Sequence, residues 1–207
     1  MHEIELKFQV PPDRRRSVDA AVAGRAAAPR TRLQAAYFDT ASRALARAGL
    51  ALRIRREGRR WVQTLKGLGD DGITRAEHNV VLTASHQADW PADPARHAGT
   101  AVGERLAAVL HEAGEPLSLV FRTDILRRTR RVRTPRGTVE LAFDDGHINA
   151  GGQRLAVCEL EIELVSGSPL AVIETARRWV LPHGLWLDTR SKAERGEIGR
   201  ASCRERV

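Results

Sequence analysis

Glu3-Ile4-Glu5-Leu6-Lys7-Phe8 alternates without a fault, with Ile4, Leu6 and Phe8 on one side and Glu3, Glu5 and Lys7 on the other. A period of two is the mark of a strand whose faces meet different surroundings. The apolar side asks for a core. The other side stacks two carboxylates and an ammonium about 7 Å apart along the strand. On one strand this is an ordinary solvated face. Whether it is more depends on the load carried by the other strands.

That load recurs. Arg53 and Arg55 alternate with Leu52 and Ile54; Lys66 ends Gln63-Thr64-Leu65-Lys66; Arg75 and Glu77 share a side; Glu140 and Asp144 share a parity. Arg127 lies in an arginine-rich strand, Glu159, Glu161 and Glu163 alternate with Leu160, Ile162 and Leu164, and Lys192 follows the last strand. Three glutamates on one strand face repel one another unless cations lie opposite. Solvated faces usually mix Thr, Ser and Gln with their charges, so pure charge on many strands points to a shared interior face with a basic and an acidic part. Arginine and lysine suit a string of phosphates. Carboxylates suit Mg²⁺ or Mn²⁺. Together they fit phosphoryl transfer, with a solvated two-faced sheet as the plain alternative.

The surrounding pattern is α+β. A helix over Arg14 to Ala27 follows Pro11-Pro12-Asp13, and an amphipathic one spans Thr100 to Ala113. A third runs from Ser168-Pro169 to Pro182-His183-Gly184. Strands are expected over Arg32–Thr40, Leu50–Arg56, Arg60–Lys66, Ile73–Leu82, Leu119–Arg133, Thr138–Asp144, His147–Ile148, Leu155–Val165 and Trp186–Arg190, with a turn at Asp145-Gly146. Gly67-Leu68-Gly69-Asp70-Asp71-Gly72 spells G-x-G-x-x-G, but it joins two strands and carries two aspartates. A hairpin loop fits it better than a dinucleotide site. Hairpins without strand–helix alternation predict an antiparallel sheet, and closure into an eight-stranded barrel would remove its edges.

Composition narrows the partner. The chain has 207 residues and a net charge of +8, which favours an anionic ligand. Aromatic residues are only 4% and the basic residues are interleaved with acids, which disfavours nucleic acid. Cys158 and Cys203 form no disulfide framework and no apolar segment suggests a leader or membrane span, so a cytoplasmic location is expected. The seven histidines show no ligand spacing and are expected at surface or turn positions. Residues 197–207 have no periodic pattern and read as a non-native, adapter-like tail, without which the chain is still basic.

The ordered set Glu3-Ile-Glu-Leu-Lys7, Tyr37-Phe-Asp-Thr40, Leu52-Arg-Ile-Arg55, Gln63-Thr-Leu-Lys-Gly67, Arg75-Ala-Glu77, Phe121-Arg-Thr-Asp124, Phe143-Asp144, Glu159-Leu-Glu-Ile-Glu163 and Ser191-Lys-Ala-Glu-Arg-Gly196 resembles the CYTH superfamily, the triphosphate tunnel metalloenzymes. The resemblance covers residues 1–196 and is nearest to bacterial inorganic triphosphatases. It implies an eight-stranded closed barrel with Mg²⁺ or Mn²⁺ as cofactor. Lys7, Arg53, Arg55, Lys66, Arg127 and Lys192 would be triphosphate ligands, and Glu3, Glu5, Asp144, Glu159 and Glu161 metal-binding acids. Glu5, Glu159 and Glu161 would serve catalysis, with Arg75, Glu77, Glu140 and Glu163 in support; which of Glu159, Glu161 and Glu163 touch metal stays open. The implied reaction is hydrolysis of inorganic triphosphate to pyrophosphate and phosphate. Thiamine triphosphatase, class IV adenylate cyclase and a non-catalytic polyphosphate-binding module are the alternatives. A helical CHAD domain often follows this domain in the subgroup, so a longer natural protein is expected.

Overall fold

The computed structural model describes residues 4–25, 27–68, 75–83 and 91–196. The remainder of the Gly67–Gly72 loop and the 197–207 tail lie outside the described residues. Nine strands form one antiparallel sheet in the order β5-β4-β3-β2-β6-β7-β8-β1-β9. They are β1 (Glu5–Gln9), β2 (Arg30–Asp39), β3 (Leu50–Glu57), β4 (Arg60–Leu68), β5 (Arg75–Leu82), β6 (Ser118–Thr134), β7 (Gly137–Ala150), β8 (Gln153–Gly167) and β9 (Trp186–Leu187). Helices α1 (Arg15–Ala23), α2 (Ala44–Arg47), α3 (Ala101–Ala113) and α4 (Leu170–His183) flank it.

The expected closed eight-stranded barrel is overturned. The sheet has nine strands, and among the described residues no ladder joins its end strands β5 and β9. β9 contributes only the pairs Phe8↔Leu187 and Gln9↔Trp186, so that edge is kept short. A second correction concerns β7, which runs unbroken through Asp145-Gly146. A Cβ on Gly146 would stand 2.1 Å from the Asp124 carbonyl oxygen, so the glycine admits the β6 backbone where the sequence suggests a turn.

The apolar parities build cores beneath the helices. Phe8 of β1 and Val10 just after it join Leu141, Phe143, Leu160 and Ile162 under α1 and α4. Ala36, Phe38, Leu52, Ile54 and Leu65 pack with Leu45 of α2 and Val102 and Leu106 of α3. Asp39 sets α2: its carboxylate accepts from the amides of Thr40, Leu45 and Ala46 at 2.7, 2.9 and 3.0 Å. His97 corrects the surface expectation for histidines, being fully buried between β4, β5 and α3. Gln63 Nε2 donates to the Asp93 carbonyl and also lies 2.9 Å from His97 Nε2, so that ring nitrogen must accept. His97 Nδ1 then donates to His78 Nδ1 at 2.9 Å. Burial and the neighbouring His78 push the His97 pKa down to about 4.

Candidate active site

Strand register converts the alternating charges into rows on the face opposite the helices. Arg127, Asp144, Glu159 and Gln9 lie side by side across β6, β7, β8 and β1. The next row holds Thr129, Ala142, Glu161 and Lys7, and the third Arg131, Glu140, Glu163 and Glu5. Farther across, Tyr37, Arg53 and Thr64 form a row on β2, β3 and β4, and Lys66 opposes Glu77 on β5. The face is therefore acidic over β7 and β8 and basic over β3 and β4.

The acidic part closes into a knot. Asp144, Glu159 and Glu161 each offer a carboxylate oxygen within 4.8 Å of the others, and Asp144 and Glu159 are fully buried. Arg127 lies across the first two rows: its Nε reaches Asp144 Oδ1 and its Nη2 Asp144 Oδ2, both at 2.6 Å, and Nη2 also pairs with Glu161. Lys192 Nζ stands 2.8 Å from Asp144 Oδ2, 2.7 Å from Glu159 Oε2 and 2.8 Å from Glu161 Oε1. Burial alone would raise the Glu161 pKa, but Arg127 and Lys192 hold it well below the usual carboxylate range. Burial would lower the pKa of Arg127 and Lys192, and the surrounding carboxylates raise both well above their ordinary values.

The basic part is less neutralised. Arg53 donates from Nη1 to the Tyr37 hydroxyl at 3.2 Å, and its buried Nε has no hydrogen-bond partner. Burial and the adjacent Arg53 lower the pKa of Arg55, which pairs with Glu57. Lys66 and Glu77 are 2.7 Å apart. Burial pushes the Lys7 ammonium down, against the pull of Glu159 and Glu161, and it donates to the Arg190 carbonyl.

Of the expected residues, Asp144, Glu159, Glu161, Arg127 and Lys192 meet in one knot, with Lys7 beside it in the ladder. Glu5, Glu140 and Glu163 occupy the third row, outside the three acids grouped by distance. Arg131 draws Glu140 toward the rim at 3.3 Å. Glu3 and the Arg75 side chain lie outside the described residues. Arg128 turns to the helix side, where its Nε donates to Asp19 at 2.8 Å.

Three positions had no role in the sequence reading. Gln9 donates to Glu159 Oε1 at 3.1 Å and to Asp188 Oδ2 at 2.9 Å, and Arg195 also pairs with Glu159. Gln9 continues the parity of Glu5 and Lys7, so alternation could have found it. Ser191-Lys-Ala-Glu194 is a capping box: Ser191 Oγ accepts from the Glu194 amide at 3.1 Å, and Glu194 Oε2 from the Ser191 amide at 2.6 Å. The box starts the helical turn 192–196, whose i and i+3 positions Lys192 and Arg195 reach the same carboxylate. No sequence signal joins Asp188 to this group.

Over 165 residues the chain is 29% identical to an inorganic triphosphatase of Haemophilus influenzae, covering 78% of this chain and 44% of that protein. The chain thus spans less than half the length of that relative. A Hippeastrum protein described by its dominant triphosphatase activity superposes with a TM-score of 0.63 at 19% identity, over 96% of each chain. A Bacillus halodurans protein provisionally described as an adenylate cyclase gives 0.63 at 20%, over 94% of this chain and 96% of its own. At these identities the two structures speak for the fold alone. The CYTH domain profile matches residues 1–196, and the chain belongs to the CYTH domain family.

Proposed function

We propose that this chain is a metal-dependent hydrolase that cleaves inorganic triphosphate to pyrophosphate and phosphate on its charged face. The observation that carries the reading is a pair of buried polar atoms that no directed hydrogen bond satisfies. Glu159 Oε2, buried at the acidic end, has the Lys192 ammonium 2.7 Å away but no directed hydrogen bond, and Arg53 Nε is buried without an acceptor at the basic end. A hard cation at one end and a phosphate oxygen at the other would satisfy both. Asp144, Glu159 and Glu161 form an all-oxygen donor set that fits Mg²⁺ or Mn²⁺ and would hold it. When bound, the metal supplies charge neutralisation for the phosphates and polarises the attacking water.

This chain's own residues do the rest. Arg53, Arg55 and Lys66 bind one end of the triphosphate, while Lys7, Arg127 and Lys192 neutralise the end nearest the acids. Glu161, held ionised by Arg127 and Lys192, is suited to ligation and too weak a base to take a proton. Glu5, half-buried in the third row, is the carboxylate this reading assigns to accept the proton of the attacking water. The mutual neutralisation of the acids by Lys192, Arg127 and Arg195 favours a second reading, a polyphosphate-binding module that needs no metal.

Tripolyphosphate, thiamine triphosphate and ATP assayed side by side with Mg²⁺ and Mn²⁺ separate the readings. Fastest phosphate release from tripolyphosphate is expected. Pyrophosphate and cyclic AMP from ATP would replace the proposal with a cyclase, and tight tripolyphosphate binding without turnover under either metal would replace it with the binding module.

A further inference from the structure

The carboxylates of the acidic knot are held from two sides, the frame of the sheet and the segment after β9. Arg127 holds both oxygens of Asp144 and Glu161 Oε2, while Glu159 Oε1 is held by Gln9 from the sheet and by Arg195 from the later segment. The second oxygens, Asp144 Oδ2, Glu159 Oε2 and Glu161 Oε1, converge on the Lys192 ammonium at 2.7–2.8 Å. Glu159 Oε2, though close to that ammonium, receives no properly directed hydrogen bond, so at this oxygen the lysine acts mainly through its charge.

We infer that Lys192 is the built-in counter-ion of the three carboxylates, and that it must leave them for a divalent cation to take the same oxygens. The inference rests on the metal-binding reading proposed above. An ammonium at the focus of the oxygens and a divalent cation ligated by them exclude each other, by space and by like charge. Without either, three carboxylates would stand buried with too little positive charge. Lys192 is carried on a strap that is latched by hydrogen bonds and rests on the core through Ala193 and Gly196, beside Phe121. Asp188 accepts from Gln9 at 2.9 Å and from the Arg190 amide at 2.9 Å, and its own amide donates to the Lys7 carbonyl at 3.0 Å. The Ser191–Glu194 capping box keeps the turn as a unit, so Lys192 and Arg195 move together. Once displaced, Lys192 would have a phosphate oxygen of the substrate as its next partner.

The test is Mn²⁺ binding by calorimetry without any phosphate present, on the parent, Lys192→Met and Asp188→Ala. Lys192→Met removes the competing charge, and Asp188→Ala loosens the strap while leaving the carboxylates and their cations in place. Both variants are expected to bind Mn²⁺ more tightly than the parent, Lys192→Met by about tenfold or more. Mn²⁺ should also raise the melting temperature of Lys192→Met more than that of the parent. If Lys192→Met fails to fold, Asp188→Ala decides alone. Equal or weaker Mn²⁺ binding by the folded variants overturns the counter-ion role while leaving the metal site standing. No Mn²⁺ binding by the parent or by either folded variant removes the metal reading itself, and this inference with it.

Discussion

Glu161 and Arg53 illustrate the two chemistries of the charged face. Burial works against the Glu161 charge, but Arg127 and Lys192 depress its pKa below 4.5. A depressed carboxyl stabilises the fold above its unfolded pKa, and that contribution is lost only as pH falls through the lower folded value. Activity lost between pH 7 and 4.5 should therefore not trace to Glu161, and the residual activity of Glu161→Gln, about a hundredfold or more lower, should keep the parent's midpoint over that range. Arg53 offers the opposite case, with a buried donor lacking an acceptor. Replacing it with Met should raise the KM for tripolyphosphate about tenfold or more while kcat changes less, as expected for loss of a binding contact. Equal losses in kcat and kcat/KM would instead place Arg53 at the reacting phosphorus.

Strands and turns carry their own predictions. Because a Cβ at Gly146 meets the backbone of β6, Gly146→Ala should cost about 1–3 kcal/mol, read from urea unfolding. The Gln63–His97–His78 chain joins β4, β5 and the segment before α3, and it works only with His97 neutral. With a folded pKa of about 4 against 6.5 in water, the unfolded state binds the extra proton between these values. Stability is thus full above pH 6.5 and falls as pH drops toward 4, by about 3 kcal/mol at most. His97→Gln keeps an acceptor for Gln63 but cannot titrate, so its unfolding free energy should change less over this range. These elements also show why local pattern misled. Asp145-Gly146 has turn chemistry, yet the glycine answers a close strand, and a lone histidine gives no hint of a buried chain set up by residues 19 and 34 positions away.

Across the whole molecule, the alternation of the strands made the existence of a two-sided charged sheet legible, and its parity placed most of the expected residues on one face. Glu5, Lys7, Arg53, Arg55, Asp144, Glu159 and Glu161 all lie on the side that alternation assigned. Closure of the sheet was not legible, because pattern counts strands but does not say whether the end strands find each other. Gln9 and Arg195 had periodic or capping signals that went unused, whereas the Asp188 latch arises only from the chain's return beside β1. The central claim is that this face hydrolyses triphosphate with a metal held by Asp144, Glu159 and Glu161. Its most direct test is phosphate release from tripolyphosphate by metal-stripped and Mn²⁺-loaded protein, for the parent and for folded Glu161→Gln. Release only by the loaded parent, with Glu161→Gln slower by about a hundredfold or more, is the predicted result. Equal release by stripped and loaded parent, or by Glu161→Gln and parent, would contradict it.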